Sequence, residues 1–219
     1  MRNINIFCFV SKSGSGKTEY LNRLFFDKRF IDKSKLKPLV YCTTRKKKMD
    51  EIDGLDYHFY SDKELKEIPD EKIIECRSYY TLNDGTVYYF TKTEQMENIH
   101  NVICIASPYQ YENYRNWCAK ENIKGINKYN LYMIIVDTKL DIRINRIMKR
   151  AESESDIYEM CRRIIQEKSE FEDVSRRLPE LIDPMMATNV CYINNNSSAE
   201  TFILKNLEKI KNFILRNIN

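Results

Sequence analysis

Short apolar runs alternate with stretches of helical spacing along most of this chain. Ile4 to Val10 is apolar and rich in β-branched and aromatic residues, and a glycine-containing turn follows it; this predicts a buried strand. From Thr18 to about Phe30, Leu21, Leu24 and Phe25 recur at helical spacing. Leu39 to Cys42, Val102 to Ala106, Leu131 to Val136 and Val190 to Ile193 each have the size of a core strand. Helical patterns separate them at Pro108 to Glu121, Leu140 to Ala151, Ile157 to Val174 and Ala199 to Asn217, the last with Ile203, Leu207, Ile210 and Ile214 on one stripe. Strands alternating with helices predict an α/β fold in three layers, a parallel sheet covered on both faces. Residues 43–98 break the alternation with tyrosine-rich strand signals at Tyr57 to Tyr60, Lys72 to Cys76 and Thr86 to Thr91, which predicts an inserted mixed α/β subdomain.

The chain has 219 residues, enough to bury one substantial core, and its 42% hydrophobic and 31% charged residues exclude the composition of a disordered chain. The net charge of +4 suits an anionic ligand, but 36 basic against 32 acidic residues lack the clustered excess of a nucleic-acid footprint, so nucleic acid is not expected as a partner. Seven cysteines lie scattered with no CxxC pair, and two histidines, His58 and His100, cannot make a His-rich metal site. Such cysteine usage predicts reduced, mostly buried thiols and a cytoplasmic setting. The Ile4 to Val10 run is too short for a membrane span or a signal-peptide core, so no membrane association is expected. Glycine occurs only five times, which makes each occurrence informative.

Two of those glycines fall in Ser11-Lys12-Ser13-Gly14-Ser15-Gly16-Lys17-Thr18, between the first strand and the first helix. That context is the one a P-loop requires. Small residues there let backbone N–H groups of Ser13, Gly14, Ser15 and Gly16 point at phosphate oxygens, and the helix N-terminus adds positive potential. Lys17 would reach the β- and γ-phosphates, and the Thr18 hydroxyl would bind Mg²⁺. Ser11 stands where the strict motif has glycine. The motif predicts a P-loop NTPase fold and ATP as ligand.

Thr43-Thr44-Arg45, Glu51, Asp53-Gly54 and Asp56-Tyr57-His58-Phe59 follow the second apolar run. With the P-loop upstream, this block resembles the guanylate kinase family, which has a Thr-Thr-Arg segment and an Asp-Gly-x-Asp-Tyr-x-Phe segment at this spacing. The resemblance implies that Arg45, Lys48 and Tyr57 hold the acceptor phosphate. Downstream, Ile73-Ile74-Glu75 resembles the family's guanine-reading glutamate, and Tyr88 resembles its phosphate-contacting tyrosine. Arg146 and Arg150, four apart on one helix face, with Arg162 and Arg163 beyond a polar turn, resemble the family's lid, whose arginines stabilise the phosphoryl group in transfer. Asn194 resembles an asparagine near the donor nucleoside.

The likeness runs through nearly the whole chain, with departures. Tyr41 stands where the family commonly has a serine that touches guanine. Lys48 replaces a phosphate-binding arginine, and Cys104-Ile105-Ala106-Ser107 replaces an acidic segment associated with Mg²⁺ and base recognition. The Arg77 to Thr86 stretch is longer than in the family.

The resemblance implies one domain with a core of about 1–42, 99–148 and 157–219, an acceptor-binding insertion at 43–98 and a small lid near 149–156. It implies an ATP- and Mg²⁺-dependent nucleoside monophosphate kinase, with Lys17, Arg146, Arg150 and Arg163 catalytic and GMP or dGMP as the favoured acceptor. Two alternatives stay open on the residues: a kinase for another nucleotide or deoxynucleotide, and a non-catalytic binding module of the same fold. Oligomeric state is not legible in the sequence.

Overall fold

In the computed structural model, residues 2–81, 84–97, 99–181 and 189–218 are described, without the side chains of 81, 155 and 173–181. Five strands form a parallel sheet: β1 (Arg2–Val10), β2 (Leu36–Pro38), β7 (Asn101–Ala106), β8 (Asn127–Asp137) and β9 (Val190–Asn194), in the order β2-β7-β1-β8-β9. The central strand β1 is buried from Ile4 to Val10, and the period-two pleat splits its side chains between two cores. Phe7 and Phe9 pack with Tyr20 and Leu24 of α1 (Lys17–Phe26) and with Leu207, Ile210 and Phe213 of α8 (Glu200–Ile218). Ile4, Ile6, Cys8 and Val10 face Tyr111, Tyr114 and Trp117 of α5 (Pro108–Lys124). Each such aliphatic or aromatic side chain contributes roughly 1.5–3 kcal/mol when fully buried, so the three-layer arrangement follows from a strand apolar on both faces.

A second sheet, of order β4-β3-β6-β5, is built from β3 (Cys42–Thr43), β4 (His58–Phe59), β5 (Ile73–Thr81) and β6 (Gly85–Lys92). Strand β3 runs parallel to β4 and antiparallel to β6, while β5 and β6 form a long antiparallel pair. The Arg77 to Thr86 stretch is therefore mostly strand, and its residues 82 and 83 lie outside the described ones. Short helices α3 (Asp62–Glu67) and α4 (Glu94–Glu97) flank this sheet.

Several element boundaries differ from the sequence expectation. The expected helix from Thr18 to Phe30 ends at Phe26, because the Asp27 side chain accepts from the Phe30 amide and caps a separate helix α2 (Lys28–Ser34). The expected strand Leu39 to Cys42 is a junction: β2 stops at Pro38 in one sheet and β3 starts at Cys42 in the other. Helix α6 spans Leu140–Met148, and α7 runs Glu154–Leu181, longer at both ends than the expected Ile157 to Val174. Its early start follows from Ser153 and Asp156, which exchange bonds between each other's backbone amide and side chain.

Candidate active site

Loop 11–16 leaves the C-terminal end of β1, and α1 begins at Lys17. Gly16 is the N-cap at φ 94°, with no side chain capping the helix, so the first-turn N–H groups are left for an anion. Close approach also requires both loop glycines: a Cβ on Gly16 would come within 2.6 Å of Asn195 Nδ2, and one on Gly14 within 2.8 Å of the Arg143 carbonyl oxygen. The buried hydroxyl of Ser15 has no hydrogen-bond partner among the described residues, and Thr18 is exposed. A glycine cradle, an uncapped helix start and a free hydroxyl fit a polyphosphate and an Mg²⁺ ion held by Thr18.

The loop is shaped from outside by later parts of the chain. The Ser15 carbonyl accepts from Asn195 Nδ2 at 2.7 Å, Thr138 Oγ1 at 3.1 Å and Arg146 Nη1 at 3.2 Å. Asn195 is itself fixed by the Tyr20 hydroxyl, which donates to Oδ1 at 2.8 Å. Ser13 is gripped on both sides of its backbone: Glu167 Oε1 accepts from its amide at 2.7 Å, and Arg143 Nε donates to its carbonyl at 2.7 Å. Arg143 and Glu167 close this clamp with a 2.7 Å ion pair whose side chains are 5% and 16% exposed. Burial lowers the Lys17 ammonium pKa; Glu167 opposes that shift, and Arg143, Arg163 and Arg150 add to it.

Arg45, Tyr57 and Glu75 of the expected acceptor residues lie on the second sheet and the loop before β4. Arg45 donates to Glu51 at 2.6 Å, lies over the Tyr57 ring at 5.4 Å, and donates to the Tyr89 hydroxyl at 3.2 Å. Glu51 also accepts from the Lys48 amide, and its carboxyl pKa is lowered first by Arg45 and then by that amide. Tyr57 is placed by a tight turn in which Gly54, at φ 78°, donates to the Tyr57 carbonyl and Asp53 accepts from the Phe59 amide. Glu75 is 4% exposed. Its Oε1 accepts from Thr91 at 2.9 Å and from Gln110 of α5 at 3.2 Å, which ties the second sheet to the C-terminal end of β7. Because Val10 pairs with Ala106, that end lies beside the P-loop end of β1.

Tyr88 is set on the other face of the sheet from Tyr89, the partner of Arg45. Glu75 pairs with Thr91 and Arg77 with Tyr89 across β5 and β6, so Tyr89 shares the Glu75 face and Tyr88 shares the opposite face with Ser78. Tyr89, missed in the sequence, meets Arg45 and stacks edge-on against Tyr57 with centroids 5.8 Å apart. Tyr88 lines a cavity of about 440 Å³ together with Glu75 and Cys76 of β5, Leu65 of α3, and Tyr109 and Asn113 of α5. The Tyr88 backbone holds the Thr44 amide and the Thr43 hydroxyl, so its strand position serves the Thr-Thr-Arg segment. A two-residue alternation against Glu75 was the available signal, and the long intervening stretch hid its phase.

The two neighbouring asparagines differ in the same way. Asn194 is exposed and its side chain accepts from the Asn196 amide, while Asn195 is 4% exposed and packs on the P-loop. In β9, Val190–Asn194, burial alternates, so the last strand residue turns outward and the next one turns in. Of the expected lid arginines, Arg146 reaches the P-loop carbonyls. Arg150 donates to the Arg146 carbonyl, Arg163 and Arg162 pair with Glu159, and all three are exposed. The side chain of Lys48 is exposed as well.

A family model described as guanylate kinase matches residues 4–184. The guanylate kinase of Bartonella henselae is 29% identical over 154 residues, covering 69% of this chain and 62% of its own length. That of Mesomycoplasma hyopneumoniae is 30% identical over 142 residues, covering 63% of this chain and 66% of its own length. The chain thus matches less than two thirds of the length of these relatives. The crystal structure of guanylate kinase from Anaplasma phagocytophilum aligns over 99% of this chain and 87% of its own, with a TM-score of 0.48 and 18% identity.

Proposed function

Because the chain belongs to the guanylate kinase family, we propose that it is an ATP-dependent nucleoside monophosphate kinase that uses GMP or dGMP as acceptor. An acceptor phosphate oxygen bonds to the γ-phosphorus of ATP while the bond to the β–γ bridging oxygen breaks, leaving ADP and a nucleoside diphosphate. The acceptor oxygen is already anionic, so no general base is required, and alignment and charge stabilisation carry the catalysis. The observation that supports this most is the placement of two anion-handling sites at the C-terminal ends of neighbouring strands: the uncapped P-loop after β1, and the second sheet anchored through Gln110 beyond β7. Ligands of open α/β sheets bind at that end.

In this reading Ser13, Gly14, Ser15, Gly16 and Lys17 bind the donor phosphates, and Thr18 holds Mg²⁺, which when bound offsets charge on the β- and γ-phosphates. Arg146 shapes the P-loop and reaches the transferring group, and Arg150 and Arg163 join it when the nucleotide draws them from their present partners. Arg45, Tyr57 and Tyr89 take the acceptor phosphate, with Lys48 at the rim, and Glu75 takes the base. The division into a core, an acceptor-binding insertion at 43–98 and a lid near 149–156 belongs to the same proposal, as does a cytoplasmic setting, supported by free thiols of which Cys8, Cys42, Cys104, Cys118 and Cys191 are buried.

A coupled assay of ADP release with ATP and Mg²⁺, offered GMP, dGMP, AMP, CMP, UMP and dTMP in turn, tests the proposal. Turnover dependent on a guanine nucleotide is expected. Absence of turnover with every acceptor would overturn the kinase assignment.

A further inference from the structure

We propose that Arg77 is a specificity-determining residue of the acceptor site, one that broadens base selection beyond guanine; the inference rests on the kinase reading above. An ionised carboxylate offers about four lone-pair positions. At Glu75, Oε1 already accepts from Thr91 Oγ1 and from Gln110 Nε2, and Oε2 accepts from Arg77 Nε at 3.2 Å. The Glu75 side chain is fully buried, whereas that of Arg77 is 23% exposed and reachable by ligand. One acceptor position of the carboxylate is therefore without a partner among the described residues, and a base reaches it only past a guanidinium that still has N–H groups to give. A base with two neighbouring donors, the N1–H and 2-amino group of guanine, would need two acceptor positions on this carboxylate and meets one.

What remains next to each other is an acceptor on Glu75 and a donor on Arg77. That pair matches an N–H beside a carbonyl oxygen, as on the N1–H and O6 edge of guanine and the N3–H and O4 edge of thymine or uracil. It equally matches an amino group beside a ring nitrogen, as on adenine or cytosine. The arrangement is held from the far side as well: Arg77 Nη1 donates to the Tyr79 hydroxyl at 3.2 Å, and Tyr79 packs edge-on against Tyr89 with centroids 5.7 Å apart. Tyr89 in turn receives the Arg45 hydrogen bond. Arg77 thus links the base end of the acceptor site to its phosphate end and is not a solitary surface charge.

The experiment compares wild type with Arg77→Ala and Arg77→Lys. Values of kcat/KM for GMP, AMP and dTMP are measured with ATP in excess, the binding of the same nucleotides is measured by calorimetry, and thermal melting confirms that each variant is folded. Arg77→Ala frees Oε2 and is expected to raise the GMP:AMP and GMP:dTMP ratios by about tenfold to a hundredfold, the scale of one charge-assisted hydrogen bond gained or lost. Arg77→Lys keeps a cationic donor and is expected to hold the ratios near wild type. Folded Arg77→Ala protein with unchanged ratios, in turnover or in binding, overturns the inference while leaving the kinase reading intact. No turnover with any nucleotide defeats the kinase reading itself, and the calorimetric ratios then still decide the role of Arg77.

Discussion

At the P-loop, the groups proposed to meet phosphate are backbone donors whose neighbouring carbonyls are tied down by Asn195, Thr138, Arg146 and Arg143. On the second sheet, the groups offered to a ligand are charged side chains already paired with one another, Arg45 with Glu51 and Arg77 with Glu75. The first site has its shape fixed by those ties and has only to release the Ser13 amide from Glu167 and the Ser15 amide from the Lys12 carbonyl. The second has to exchange partners when an acceptor arrives. Preorganised dipoles yield transition-state stabilisation without reorganisation at the moment of reaction, whereas partner exchange makes selectivity depend on which pairings a given ligand can replace.

The contrast breaks most sharply at Lys17. Lys17→Ala is expected to lower kcat by about 10²–10³, roughly 2.7–4 kcal/mol of lost charge stabilisation, with the thermal melting temperature nearly unchanged. A variant that keeps most of its activity would remove the ammonium from the mechanism. Asn195→Ala attacks the shape of the loop and spares its charge: it takes one of three donors from the Ser15 carbonyl and the acceptor from the buried Tyr20 hydroxyl, and is expected to cost about 1–3 kcal/mol of folding stability. Denaturant unfolding reads that cost, and Asn194→Ala, which alters an exposed side chain, should leave it alone.

On the acceptor side, Glu51→Gln keeps an oxygen for the Lys48 amide but weakens the hold on Arg45. A several-fold rise in acceptor KM with little change in kcat is expected, since a hydrogen bond of this kind is worth about 0.5–1.5 kcal/mol. An equal fall in kcat would move Arg45 from ground-state binding to the chemical step. The smallest effect concerns pH. The Lys17 ammonium is present below its folded pKa and is lost as pH rises through it, and burial has moved that pKa down. Activity should therefore decline at a lower alkaline pH than an ordinary lysine would give. Glu167 raises the Lys17 pKa, so Glu167→Gln should shift the alkaline limb of the kcat/KM profile for ATP still lower. An unmoved limb would show that Lys17 is not the group titrating.

What the sequence discloses follows the same division. The P-loop and the buried strand β1 are local patterns, and a strand–glycine–helix succession carries its own geometry. The Arg45 and Tyr57 block is also local, because Asp53 and Gly54 set its turn within a few residues. Tyr89 was missed because its face depends on pairing with β5 across a long stretch, and a shift of one residue inverts every side chain. The Arg143–Glu167 clamp was invisible for a different reason: these residues are 24 apart, on two helices, and helical spacing alone gives no sign that both reach Ser13.

The three donors on the Ser15 carbonyl also bear on the order in which the molecule can be assembled. They come from residues 123, 131 and 180 positions farther along the chain. During synthesis, the whole P-loop leaves the ribosome long before Thr138, Arg146 or Asn195 exists, and contacts of such separation form late because the intervening chain must first be closed. The motif that comes first in the sequence is thus the last to take its working shape. A nascent chain ending before Asn195 would carry the complete phosphate-binding signature without the grip that gives it form, and nucleotide affinity would arise only as the final strand and helix dock.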